Sequence, residues 1–206
     1  MTRLVLVRHG ESVWHAENRY AGVSDIALTP RGLRQAEQLA DWAGTARLSG
    51  IWTSTLSRAR VTAQASAERT GLVPQVDERL RELDFGDAEG LTRTEMSRRF
   101  PEALDAFHAD PVACHLPGGE DPVKAAERFT ECLADIAVRH PGGRVLVVAH
   151  TTAIRLALCR LIGIPLREYR RVFPFLRNTA LTEIKLEDGH AAVLEYNTPL
   201  HRGGTA

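Results

Sequence analysis

Two short apolar runs, each ending abruptly in a histidine, constrain this 206-residue chain more than anything else in it. The first is Leu4-Val5-Leu6-Val7, followed by Arg8-His9-Gly10. The second is Val145-Leu146-Val147-Val148-Ala149, followed by His150-Thr151-Thr152. Continuous Val- and Leu-rich runs of this length read as strands covered on both faces, the setting of a parallel sheet flanked by helices. Open α/β sheets hold their ligands beyond the carboxyl ends of the strands. Two such ends can bring two imidazoles together, with the Arg8 guanidinium beside one of them. That group of donors suits an anion.

The segments between the runs alternate in type. Thr29-Pro30 supplies a cap and a proline at the first helical position, and Leu33, Ala36, Ala40 and Ala43 follow at helical spacing, so 30–43 is read as an amphipathic helix. Ile51-Trp52-Thr53 reads as a short strand, Leu56 to about Glu68 as a helix, and 72–90 as irregular with an extended piece near Val73–Val76. Thr92-x-x-Glu95 is a capping box opening a further helix. Pro101, Pro111 and Pro117, with Gly118-Gly119, mark the stretch about 88–123 as a small helical lid insertion outside the sheet. A helix over 121–139 turns Val123, Ala126, Phe129, Leu133, Ile136 and Ala137 inward. Strand 145–149 feeds a helix over 151–162, and strands 180–186 and 191–196 meet at the hairpin signal Asp188-Gly189. The expected fold is a single α/β domain over 1–198. It has three αβα layers, a mostly parallel sheet and an antiparallel edge strand. Residues 199–206 are expected to be a flexible tail.

Bulk properties narrow the function. Lys and Arg number 26 and so do Asp and Glu, so no global field points to nucleic acid or an anionic membrane. Any attraction for an anion must be local. Cys114, Cys132 and Cys159 are odd in number and form no paired motif, which argues for reduced, mostly buried thiols in a cytoplasmic protein and against a zinc site. The amino terminus runs from its apolar stretch straight into Arg-His-Gly-Glu, unlike a signal peptide, and no stretch reaches the roughly 20 apolar residues of a membrane span. HExxH, a Ca²⁺ loop and a nucleotide P-loop are missing from the sequence, so neither metal nor cofactor is expected. The chain is expected to be a monomer or weak homodimer.

An imidazole is a competent phosphoryl acceptor because its neutral form is available near pH 7. His9 follows a buried strand, and Gly10 is read as room for close approach of a ligand to the backbone. His150 lies where a strand becomes a helix, so the amides of Thr151 and Thr152 are expected to face the same anion, helped by the positive helix end.

Five ordered blocks carry a resemblance: Arg8-His9-Gly10-Glu11-Ser12; Ser54-Thr55-Leu56-Ser57-Arg58-Ala59; Leu80-Arg81-Glu82-Leu83-Asp84-Phe85-Gly86; Pro117-Gly118-Gly119-Glu120; and Val148-Ala149-His150. Together they resemble the histidine phosphatase superfamily, the phosphoglycerate mutase-like branch 1, and its phosphatases more than its mutases. The resemblance implies that His9 is the nucleophile that becomes phosphohistidine. It makes Arg8, Arg58 and His150 the phosphate ligands, the arginines offering planar bidentate donors that keep their charge. Glu82 becomes the acid and base, with Asp84 and Glu89 as nearby rivals. Ser12 holds a position where relatives have Ser or Thr and is expected to donate to phosphate. His15 stands where many relatives have Asn and is either a phosphate donor or part of the entrance. Glu120 and Asn178 match positions near the family's pocket, although Glu120 is equally readable as a loop brace. Thr151-Thr152 replaces the Gly-Gly common after the second histidine. His108 and His115 are expected at the surface of the lid. The implied activity is that of a metal-independent, histidine acid phosphatase-type phosphoric monoester hydrolase, and the implied partner is a small-molecule phosphomonoester. Two alternatives stand beside it: a cofactor-dependent phosphoglycerate mutase, and an inactive protein that binds phosphorylated ligands.

Overall fold

The strands whose apolar runs lack alternation lie at the centre of the molecule, because every side chain on them has somewhere dry to go. The computed structural model describes residues 1–187 and 190–200. Its strands are β1 (Thr2–Arg8), β2 (Gly50–Thr53), β3 (Gln75–Val76), β4 (Arg144–Ala149), β5 (Leu181–Glu187) and β6 (His190–Thr198). They form one sheet in the order β3-β2-β4-β1-β5-β6. β1, β2, β3 and β4 run parallel, and β5 runs antiparallel to both β1 and β6. The antiparallel strand thus lies one place in from the edge, which β6 forms. The Asp188-Gly189 turn and tail residues 201–206 lie outside the described residues.

Side chains of the central strands divide between two layers. Leu4 and Leu6 of β1 and Val145 and Val147 of β4 pack against α6 (Pro122–Arg139) and α7 (Thr151–Leu161). Val5, Val7, Leu146 and Val148 pack on the other face with α2 (Pro30–Ala43) and α3 (Ser57–Thr70). Helices on both faces of the sheet give the expected three layers. The shorter helices are α1 (Val13–Ala16), α4 (Arg93–Arg99), α5 (Pro101–Ala109) and α8 (Tyr169–Val172).

Local signals account for the helix starts. Thr29 accepts a hydrogen bond from the Gly32 amide with Pro30 at the first position of α2, Asp121 caps α6 ahead of Pro122, and Thr92 and Glu95 form the full capping box of α4. Pro101 both separates and starts: α4 ends at Arg99, because a proline disfavours the helical conformation of the residue before it, and α5 opens at Pro101, because proline lacks only an amide that the first helical turn leaves unused.

Three packing expectations are corrected. Leu33 is 49% exposed and Leu39 fills the inner face of α2 in its place, since a 3.6-residue period with small Ala anchors leaves the rotation of the helix loosely fixed. Cys114 is exposed, whereas Cys132 and Cys159 are buried. The stretch 88–123 stays outside the sheet but is tied down: Met96, Leu104, Phe107 and Leu116 join the same core cluster as Leu4 and Leu6. Among the described residues, no helix is long and apolar enough to cross a membrane.

Candidate active site

β1 and β4 pair in register, Arg8 opposite Ala149, so the residues that follow them stand side by side. His9 and His150 bring their ring centroids within 5.1 Å, tilted by 58°. Both are buried. Burial, then the charges of Arg58 and Arg8, push His9 well below the usual imidazole range. Burial, then Arg58 and His9, do the same for His150. Both rings are therefore neutral at pH 7, and their hydrogen bonds fix which nitrogen carries the proton. Nδ1 of His9 lies 2.6 Å from the Gly10 carbonyl, which can only accept, so Nδ1 holds the hydrogen and Nε2 keeps its lone pair. Nε2 of His150 meets Ser54 Oγ at 2.8 Å, and that hydroxyl already accepts from the Leu56 amide. Among the described residues Nε2 is the acceptor within reach of the Ser54 hydroxyl hydrogen, so the hydroxyl donates to it and Nδ1–H of His150 remains as a donor without a partner. One imidazole is left as a nucleophile and its neighbour as a donor.

The first turn of α3 places Arg58, which is buried to 1% exposure. It donates to the carbonyls of Ser24 (2.7 Å) and Gly22 (2.5 Å), and Nε has no partner. Glu89 holds that loop by accepting from the Val23 and Ser24 amides. Arg8 donates to the Leu176 carbonyl at 2.8 Å and likewise keeps an unpartnered Nε. Its pKa falls to about 10, chiefly through burial, so it is still charged at pH 7. Ser12 Oγ and His15 Nδ1 are buried without partners too, and burial takes His15 down to about 4. Arg8, His9, Ser12, His15, Arg19, Glu82, Thr151 and Arg155, with the Pro174-Phe175-Leu176 rim, line a cleft of about 280 Å³. A larger groove, about 640 Å³, lies around Met1, Ala137, Val138 and Leu186 at the opposite end of β1 and gathers no comparable donors.

Glu82 reaches the same cleft from the loop between two short 3₁₀ turns, Glu78–Leu80 and Gly86–Ala88, and it occupies the start of α7. Its Oε2 accepts from the Thr152 amide at 3.0 Å and its Oε1 from the Ala153 amide at 2.9 Å, with a further bond from Leu83 N. The amide of Thr152, expected to face the substrate anion, is thus already engaged. The helix start instead anchors a carboxylate of the protein itself, as its positive end favours. Thr151 does line the cleft.

Two other expectations change. Glu120 does not line the cleft; both of its oxygens take 2.8 Å bonds from Arg128. Arg128 also donates to the carbonyls of Arg79 (2.7 Å), Arg81 (2.9 Å) and Glu82 (3.0 Å), so this ion pair braces the segment carrying Glu82. The room expected at Gly10 is taken by α2: a β-carbon there would collide with the Gly32 carbonyl. Asn178 donates to the His9 carbonyl at 2.8 Å and so holds the backbone of His9. Asp84 accepts from the Gly86 amide within its own turn. His108 and His115 lie outside the cleft lining. Sequence reasoning missed Ser54, Arg128 and Arg155. Ser54 stood within a quoted block, but its role depends on a contact with β4 that only folding creates.

Comparison with known proteins agrees with this geometry. The chain is 31% identical to phosphoserine phosphatase 1 of Hydrogenobacter thermophilus over 98% of its own length and 95% of that protein. It is 35% identical to the probable phosphoglycerate mutase GpmB of Klebsiella pneumoniae over 89% of its length and 85% of that protein. The structure of Bacillus stearothermophilus YhfR superposes with a TM-score of 0.89 at 32% identity, covering 97% of this chain and 98% of the other. The model of the histidine phosphatase superfamily, branch 1, matches residues 4–199, which takes in both strand-end histidines, Arg58 and Glu82, and the chain belongs to that family.

Proposed function

We propose that the protein is a phosphomonoesterase that hydrolyses a small phosphorylated metabolite through a phosphohistidine intermediate. The observation that carries this reading is the set of buried polar groups on Arg8, Ser12, His15, Arg58 and His150 that have no partner among the described residues and lie around a neutral His9. Buried polar groups are nearly always satisfied, so several left open together, two guanidinium N–H groups among them, mark a place for a group with several acceptor oxygens. A phosphoryl group has that form.

In the first step Nε2 of His9 attacks phosphorus and the P–O ester bond breaks. Glu82 gives its proton to the departing alkoxide; its Oε2 takes a single amide bond and has a lone pair left to carry that proton. In the second step water attacks the phosphohistidine, Glu82 takes the water's proton, and the P–N bond breaks to release inorganic phosphate. Arg8, Arg58 and the Nδ1–H of His150 hold the non-bridging oxygens throughout, and preorganised charge of this kind supplies much of the acceleration. Guanidinium and imidazole donors furnish the positive charge, which supports metal-independent hydrolysis.

His9→Ala is expected to abolish turnover of p-nitrophenyl phosphate. Acid-labile, base-stable phosphate is expected on the wild-type protein after a rapid quench. Retained turnover in His9→Ala refutes the nucleophile.

Likeness to a probable phosphoglycerate mutase favours a second reading, in which the phosphoryl group returns to the substrate. Arg93, Arg98 and Arg99, the basic residues of 88–123, do not line the cleft, so the insertion adds no cation to it, which supports hydrolysis. Released inorganic phosphate measured against isomerised phosphoglycerate separates the two.

A further inference from the structure

The cleft holds more positive charge than one phosphoryl group uses. Arg155 lies on α7, one turn after His150, and lines the cleft wall with Thr151, Thr152 and the Pro174-Phe175-Leu176 rim. Its side chain belongs to a residue only 8% exposed. Its contacts are sparse for a buried guanidinium: one long bond of 3.4 Å to the Tyr169 carbonyl and a face-on contact with the Tyr169 ring at 4.8 Å. Its Nε has no partner, and among the described residues no carboxylate lies within ion-pair distance of it.

The surrounding charges sharpen the point. Arg170, the next cation on this side, stacks on Tyr169 and Phe107, bonds to the Tyr169 hydroxyl and adds a like charge beside Arg155. Arg155 and Arg8 repel one another across the cleft. A buried cation is normally paired, because desolvating it without a partner is costly. Arg8 has its counter-ion in the phosphoryl group. Arg155 has none among the described residues.

We propose that Arg155 is a specificity-determining residue that receives a second anionic group, a carboxylate close to the scissile phosphate on the same substrate. This rests on the phosphatase reading of the cleft. A cleft of about 280 Å³ leaves space for only a short link between the two anions. The planar fork of Arg155 offers Nε and an Nη to a carboxylate in bidentate fashion.

The test uses binding, so that it does not depend on turnover. Calorimetry compares 3-phosphonopropionate with propylphosphonate, two non-hydrolysable ligands of matched length that differ in the carboxylate. The wild-type protein is expected to bind the carboxylate-bearing ligand about tenfold or more tightly, the range of one charged hydrogen bond. In Arg155→Met that ratio is expected to fall close to one, and Arg155→Lys is expected to restore part of it. Equal affinities in the wild type, or an unchanged ratio in Arg155→Met, overturn the proposal. Hydrolysis of p-nitrophenyl phosphate reports on the phosphatase reading separately: turnover with no carboxylate preference sinks the role of Arg155 alone, and carboxylate preference without turnover sinks hydrolysis alone.

Discussion

Arg128→Met tests whether the Arg128–Glu120 brace positions Glu82, the proposed acid, or merely stabilises the fold. The substitution keeps the aliphatic stem against its neighbours and removes every donor of the guanidinium. Side chains of the pair are 18% and 23% exposed, so solvent screens much of its Coulomb attraction and the pair itself adds little. The larger loss is at the carbonyls of Arg79, Arg81 and Glu82, each of which gives up a donor. At about 1 kcal/mol for each lost bond the sum is about 3 kcal/mol. For a protein of this size that corresponds to a fall in Tm of about 6–12 °C. The catalytic consequence is separable. Freed from Arg128, the Glu82 segment can shift, and a misplacement on the order of 1 Å costs about 100-fold in rate. That penalty should depend on the leaving group, because p-nitrophenolate departs without a proton and an alkoxide does not. The assay is kcat for an alkyl phosphate and for p-nitrophenyl phosphate, at a temperature where the variant is fully folded. The expected result is an alkyl:aryl rate ratio lowered by about tenfold or more, in the direction that Glu82→Gln should lower it further. An unchanged ratio alongside the lower Tm would show that Arg128 is only structural.

Two further outcomes follow from the hydrogen bonding and charge of the site. Ser54→Ala removes the hydroxyl that holds Nε2 of His150 and so loosens the tautomer that presents Nδ1–H; vanadate affinity, by fluorescence or calorimetry, is expected to drop about fivefold to tenfold, from a loss of about 1 kcal/mol. His9, His15 and His150 all have folded pKa values below their unfolded value, so the unfolded chain binds more protons under mild acid. Their contribution to stability is therefore complete above about pH 6.5 and is lost as pH falls below it. Tm should decline with acidification over that window, and the acid limb of kcat/KM on an aryl phosphate should lie well below pH 6.5. A limb centred near pH 6.5 would contradict a buried, neutral His9.

The parts of this molecule that announce themselves in sequence are those set by local chemistry. Runs such as Leu4–Val7 and Val145–Ala149 can only be strands buried on both faces, and the caps at Thr29, Thr92 and Asp121 fix helix starts within a residue. The ends of those strands, and hence His9 and His150, follow directly. What sequence could not disclose depends on distant partners. The amides of Thr152 and Ala153 are spent on Glu82, some seventy residues earlier in the chain. The space beside Gly10 is filled by Gly32 of α2. Glu120 matched a position near the pocket, but the turn of α6 that carries Arg128 draws its carboxylate aside. Rotation of α2, which exposes Leu33, is settled by what the sheet offers it and not by its own pattern.

The pairing of β1 with β4 has a mechanical meaning. Arg8 faces Ala149 across a ladder of backbone bonds in the driest part of the protein, and the two rings project from the next rung. The spacing between the two imidazoles is therefore gauged by the backbone, the least compressible component available, and not by flexible loops. A slip of one residue in that ladder would turn one ring to the opposite face of the sheet. Damage to the core should consequently act as a switch: the site keeps its spacing until the sheet gives way, so molecules weakened by core substitutions should differ in the fraction that is active and hardly at all in the rate of each active one.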